Sequence, residues 1–244
     1  MSKAVSVVTT LTVSDPATFT TVLHSLYGPV HKGLRSQLFA LQMQIGAADA
    51  DDRQQRADIH VFADNLHRHL QSHAGHEERW IDPVLIEHAP EVGEVLEAQH
   101  EAFEPILNSI LDLAVALAGT DEPDEARHIL DVLHLDTSRF IGAYLTHMDI
   151  EERIAMPMLE RTLGTEGVME LHENLLGSVT PEVMAQMQAF MLPAMNPHER
   201  ISMLAGIRAG APAEVYEGTL RLAGSVLEPA EMRSLEAALL ATGS

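Results

Sequence analysis

The feature that most constrains this chain is an internal repeat. One segment reads His73-Ala-Gly-His-Glu77-Glu78-Arg79-Trp80-Ile-Asp-Pro83-Val-Leu85, and another reads His147-Met-Asp-Ile-Glu151-Glu152-Arg153-Ile-Ala-Met-Pro157-Met-Leu159. Both are His-x3-Glu-Glu-Arg-x3-Pro-x-Leu, and one offset superposes them throughout, since 147 − 73 = 74 and 151 − 77 = 74. On a helix, positions i and i+4 share a face, so each His projects with its Glu. Around the first pair the aligned residues are Phe62, Leu66, Leu70, Trp80 and Val84; around the second they are Ile129, Leu133, Phe140, Ile154 and Met158. Both pairs are therefore expected in apolar stripes that face a core. An ionised carboxylate there is costly unless a cation or a full set of hydrogen bonds satisfies it. Two carboxylates converging with two imidazoles call for a metal, and this donor set suits iron, manganese or zinc.

The rest of the chain supplies helices to carry such a site. Helical patterns are expected over about residues 26–46, 52–88, 91–118 and 124–163, separated by Ala47–Asp52, Ala89-Pro90 and Gly119–Pro123. Four long helices joined by short loops imply antiparallel neighbours, so the fold class is all-α, an up-and-down four-helix bundle. Residues 1–22 read as an N-terminal arm, with a possible short helix after Ser14-Asp15-Pro16. The bundle is assigned to residues 23–163. Gly164-Thr165-Glu166-Gly167 opens a small helical C-terminal extension, 164–244, in which Thr180-Pro181 and Asn196-Pro197 pair a capping residue with a Pro at the first helical position. Met184, Met187, Met191 and Met195 recur there at helical spacing, as core packing does.

The first and third helices should complete the site. His31 shares a face with Leu38 and Ile45, with Tyr27 one turn earlier; His100 shares a face with Leu96, Leu107 and Leu111. A lone His on an apolar stripe is more often a satisfied core histidine, but here two His–Glu pairs already need neighbours. His69 and His76 flank the ligand face of the second helix, as rim residues or as donors behind the ligands. Tyr27 and Trp80 lie close enough to the ligand faces to donate a hydrogen bond or an electron, although core packing is the more common role of such residues. A ferritin-type reading through Glu97/His100 and Glu125/His128 is weaker, because these pairs share no surrounding repeat and the second sits at a helix start.

This pattern resembles the hemerythrin-like family: His31, then His73/Glu77, then His100, then His147/Glu151, over about residues 25–163. The resemblance implies two iron ions bridged by Glu77 and Glu151 with an exogenous oxo or hydroxo group between them. It also implies His31 and His147 on one iron, and His73 and His100 on the other. One departure stands out. Oxygen-carrying members have a further His one turn after the third-helix His, where this chain has Glu104. By spacing, Glu104 faces the core, either as an additional ligand or as a salt-bridge partner of Arg35. Four imidazoles with more carboxylate look less like a reversible carrier and more like members linked with oxygen, redox or iron sensing or with peroxide handling.

Composition closes several other routes. With 15 Lys+Arg against 36 Asp+Glu and a net charge of −21, no basic stripe exists for nucleic acid or an anionic membrane. The absence of Cys removes disulfides, thiolate zinc sites and a cysteine nucleophile. No signal peptide and no apolar run of membrane-spanning length is read, so a cytoplasmic protein is expected. Three functions fit: a di-iron protein that binds O2, peroxide or NO as sensor or carrier, a di-iron enzyme that consumes peroxide or O2, or a helical interaction module with a zinc or vestigial site.

Overall fold

The computed structural model describes residues 20–241, and these are all-helical with no strand among them. The expected helix after Pro16 and most of the expected arm lie outside the described residues. Helix α1 (Gly28–Ala47) has Pro29 in its first turn and buries Val30, His31, Leu34, Leu38, Leu41 and Ile45, the three-and-four spacing of one helix face. Helix α2 (Arg53–Trp80) is capped by Asp52, whose carboxylate accepts the Gln54 and Gln55 N–H groups. Short α3 (Asp82–His88) follows, then α4 (Pro90–Gly119) and α5 (Pro123–Ile150). The long helices close a ring: α1 packs on α2 and α5, and α4 packs on the same two. Leu34, Leu38, Leu66, Leu70, Leu133 and Phe140 lie in the core they enclose. Part of α4 is apolar enough, by length and composition alone, to cross a membrane; here the helix supplies Leu96, Leu107, Ile110, Ala114 and Leu117 to the interior.

Two interruptions depart from the expected helices, and both have a proline as their cause. The second helix does not run unbroken to His88. It ends at Trp80, with Ile81 at φ −100°, because Pro83 lacks an N–H and its ring crowds the carbonyl one turn back. In the fourth helix Pro157 is accommodated differently: Glu151–Ala155 widen into a π turn in which the Met156 N–H reaches the Glu151 carbonyl. The span α6 (Met156–Ser178) is two helical stretches that meet at Gly164, whose φ of 70° and ψ of 168° break the helix where the fourth was expected to end.

The stretch beyond that break stays packed against the bundle. Val168 and Leu175, beyond it, pack with Tyr27, Ile81, Leu85 and Leu96, and the Trp80 indole N–H donates to the Ser178 hydroxyl. Helices α7 (Pro181–Ala194), α8 (Pro197–Gly210), α9 (Ala213–Val226) and α10 (Pro229–Ala241) follow. The caps at Thr180 and Asn196 form as expected, the latter as a full capping box with Glu199. Leu192, Leu204, Ala223, Leu227, Leu235 and Leu239 make a separate small core. Helix α7 joins it to the bundle: Met187 and Met191 pack on the main core, and Phe190 lies so close to α1 that a Cβ at Gly33 would meet its ring at 2.5 Å.

Candidate metal centre

Four helices each deliver one imidazole to a common point. His31 from α1, His73 from α2, His100 from α4 and His147 from α5 are all buried, as are Glu77 and Glu151. The two repeat pairs close on themselves as i,i+4 spacing requires: His73 Nε2 lies 3.0 Å from Glu77 Oε1, and His147 Nε2 lies 3.1 Å from Glu151 Oε1. Each carboxylate then reaches across with its second oxygen. Glu77 Oε2 lies 3.4 Å from His100 Nε2, and Glu151 Oε2 lies 3.4 Å from His31 Nε2.

The imidazoles form two pairs. His31 and His73 bring their Nε2 atoms to 3.1 Å, and His100 and His147 bring theirs to 3.0 Å. Donor atoms from His31, His73 and Glu77 lie within 4.8 Å of one another, and so do those from Glu77, His100, His147 and Glu151. The sharing implied by resemblance, His31 with His147 and His73 with His100, is corrected by this geometry. The partners are neighbours around the ring of helices: α1 with α2, and α4 with α5.

The residues behind the imidazoles set which nitrogen is free. His31 Nδ1 donates to Glu152 Oε1 at 2.9 Å, and His147 Nδ1 donates to Gln99 Oε1 at 2.9 Å. His100 Nδ1 faces buried Asp82 Oδ2 at 3.5 Å. In the neutral ring an Nδ1–H leaves the Nε2 lone pair pointing inward, the tautomer a metal ligand needs. Arg35 holds Glu152 from the other side at 2.7 and 3.1 Å.

Charge in this group is unbalanced without a cation. Burial opposes the imidazolium of His31, but the hydrogen bond to Glu152 and the nearby carboxylates of Glu77 and Glu151 hold its pKa up at about 9. Burial likewise opposes His100, yet Asp82 and Glu77 raise it to about 10. Burial drives His73 down to about 3 against the pull of Glu77. Burial and the charge on Glu77 push Glu151 above the usual carboxylate range, whereas His73, His100 and His31 overcome burial and pull Glu77 below it. Both oxygens of Glu77 and Oε2 of Glu151 are buried with no hydrogen-bond donor aligned on them. Orphaned core carboxylates facing imidazole lone pairs fit a metal ion, and with no thiolate in the chain the donor set is that of iron, manganese or zinc.

Other expected residues fall elsewhere. Glu104 is exposed and neither joins the ligands nor meets Arg35, whose partner is Glu152. The buried line on α4 steps from His100 by three to Phe103 and then by four to Leu107; Phe103 stands edge-on to His147 at 5.4 Å, and Glu104 is turned roughly 100° away from it. Trp80 is drawn off to Ser178, with Arg79 over its ring. His69 stacks on Phe190 at 4.6 Å, and His76 is half-buried; neither belongs to either donor group. Tyr27 is fully buried with its ring 5.1 Å from His31.

Three supporting residues, Asp82, Gln99 and Glu152, carried no assigned role in the sequence. Glu152 had a signal, its place inside the repeat. Gln99 and Asp82 had only adjacency, to His100 and to the proline break. Tyr144, one turn before His147, was not singled out either; it is buried with its ring 5.5 Å from His147, and burial together with the charges of Glu77 and Glu151 raises its phenol well above the usual range.

Against known proteins, the family described as the hemerythrin HHE cation binding domain matches residues 28–159, more than half of the chain. No curated protein and no solved structure matches it.

Proposed function

The chain belongs to the hemerythrin HHE cation-binding domain family, and from that premise we propose that α1, α2, α4 and α5 are the up-and-down antiparallel bundle of a non-haem di-iron protein. One observation carries this reading. Glu77 and Glu151 each turn one oxygen to the His31/His73 side and the other to the His100/His147 side. Carboxylates that span two pairs of imidazoles support two adjacent cation positions, one beside His31, His73 and Glu77 and the other among Glu77, His100, His147 and Glu151. Bound iron would supply redox activity and open coordination positions for a small ligand such as O2, peroxide or NO.

The chain's own residues do the remainder. His31, His73, His100 and His147 present Nε2 lone pairs. Glu152, Gln99 and Asp82 orient three of those rings from behind. Phe103, Phe140 and Leu96 limit access of water. A role in oxygen, redox or iron sensing or handling follows, because a change of charge at a centre shared by four helices acts on the packing of all of them.

Protein purified without added metal should carry two irons per chain and absorb in the near-ultraviolet, where a zinc centre does not. Fewer than about one iron per chain would end the reading, since sites of this kind retain their metal through purification. Steady-state peroxide consumption then separates the roles: negligible turnover supports a sensor or carrier, and sustained turnover makes the protein an enzyme.

A further inference from the structure

We infer that Tyr144 is a positioning residue: its hydroxyl donates the hydrogen bond that orients a small anion, of the azide or hydroperoxide class, at the metal centre. The inference rests on the two-metal reading above. Tyr144 precedes His147 by one helical turn, with ring centroids 5.5 Å apart. Phe103 at 5.4 Å and Phe140 at 5.5 Å flank it. It is 3% exposed, and its hydroxyl has no partner. Thr137 also buries an unpartnered hydroxyl, but it lies roughly two turns earlier on α5, farther from His147.

A buried phenol without an acceptor loses about 1–3 kcal/mol of solvation that nothing returns. Phenylalanine would fill the same space among these rings without that loss. The hydroxyl therefore makes sense where an acceptor arrives from outside the chain. In the field of Glu77 and Glu151 and walled by aromatic rings, a neutral phenol offers a proton and no charge, so it favours an anionic acceptor over a neutral diatomic one.

The test uses the full-length iron-loaded protein and its Tyr144→Phe variant, with azide and NO as probes. Equal iron content is expected in both. Azide affinity should fall about tenfold in the variant, the value of one hydrogen bond to a charged group, while NO affinity changes by less than about threefold. The infrared stretch of bound azide should shift between H2O and D2O in the wild type and lose that shift in the variant. Azide binding within about twofold of wild type at equal iron content would overturn the inference. So would iron loss from the folded variant, which would make Tyr144 a structural support. Should the variant not fold, the wild-type measurement decides alone: a stretch insensitive to D2O overturns the role. Failure of the wild type to hold iron strikes the two-metal reading itself, a different outcome from loss of the azide effect.

Discussion

Pro83 and Pro157 occupy the same place in the two halves of the repeat, yet the chain answers them differently. In the first half α2 stops at Trp80 and restarts as α3; in the second, α5 widens at Glu151–Ala155 and continues as α6. The break turns Asp82 inward against His100. At the equivalent position the continuous half carries Met156, whose sulfur accepts the Leu26 N–H at 3.5 Å. Conversely, Glu152 supports His31, whereas its counterpart Glu78 is exposed. Each half therefore gives the centre a His–Glu pair plus one acid that backs an imidazole on another helix, but it draws that acid from a different position. The shared motif sets the ligands. How the helix absorbs a missing N–H decides what stands behind them.

The largest test of this comparison removes what the halves share. Glu77→Gln and Glu151→Gln should each deplete both cation positions, because each carboxylate spans them. Iron-loaded stability should drop by about 4 kcal/mol if free metal stands near a thousand times the dissociation constant. In metal-free protein the sign changes: Glu151→Gln should be neutral or stabilising, since it replaces a buried carboxylate whose Oε2 has no partner. Iron analysis and thermal unfolding with and without chelator would show this. A variant that keeps full iron would break the equivalence of the halves.

Next in size is the difference between the halves. Glu152→Ala should weaken metal binding about 10–100-fold, because it frees both His31 and Arg35. Glu78→Ala should leave affinity within about twofold, as expected for an exposed side chain. Competition with a coloured chelator measures both, and equal losses would refute the asymmetry.

What the sequence made legible follows the same division. Four of the six converging residues, His73, Glu77, His147 and Glu151, were readable because i,i+4 spacing and a fixed offset are properties of covalent order; His31 and His100 followed only from their apolar faces and the need of those pairs for neighbours. Glu104 was misplaced because steps of three and four are both helical, and only packing selects Phe103 beside His147. Asp82 was hidden because its inward turn depends on how the backbone yields at Ile81. Tyr144 aligns with Leu70 in the other half, so the repeat marks it as an apolar position. The packing of the stretch beyond Gly164 over the bundle was hidden too, since a glycine marks a helix break without saying where the chain then goes.

Proton release sharpens the comparison further, because each half raises one imidazole pKa. Burial is overcome by Glu152 at His31, held at about 9, and by Asp82 at His100, held at about 10. Rings raised in this way favour a proton in metal-free protein, and a bound cation must displace it. Metal loading at pH 7 should therefore release about two protons per chain, and affinity should rise with pH until about 10. Calorimetry in buffers of different ionisation enthalpy counts them. Release of none at pH 7 would show that the supporting acids do not charge these rings.

The smallest effect concerns what only the second half has, a continuation that folds back on the segment before α1. There His172 of α6 meets His24, Nδ1 to Nε2, at 2.8 Å. Burial first, and then the charge of His24, lowers His172 to about 4. Between the ordinary histidine value of about 6.5 and this lowered one, the unfolded chain binds a proton that the folded chain refuses. The pair's contribution is thus fully present above that window and is lost as pH falls through it. Because His172 is only partly buried, about 1 kcal/mol is expected rather than the full linkage value. Metal-free wild type and His172→Gln, unfolded in urea at pH 7 and pH 5, should show a stability gap that shifts by this amount in favour of the variant at the lower pH. Titration elsewhere in the molecule cancels in that difference. A gap unchanged between the two values would mean that His172 already carries its proton in the fold, and that Val168, Leu175 and the Trp80–Ser178 hydrogen bond hold α6 over the centre without it.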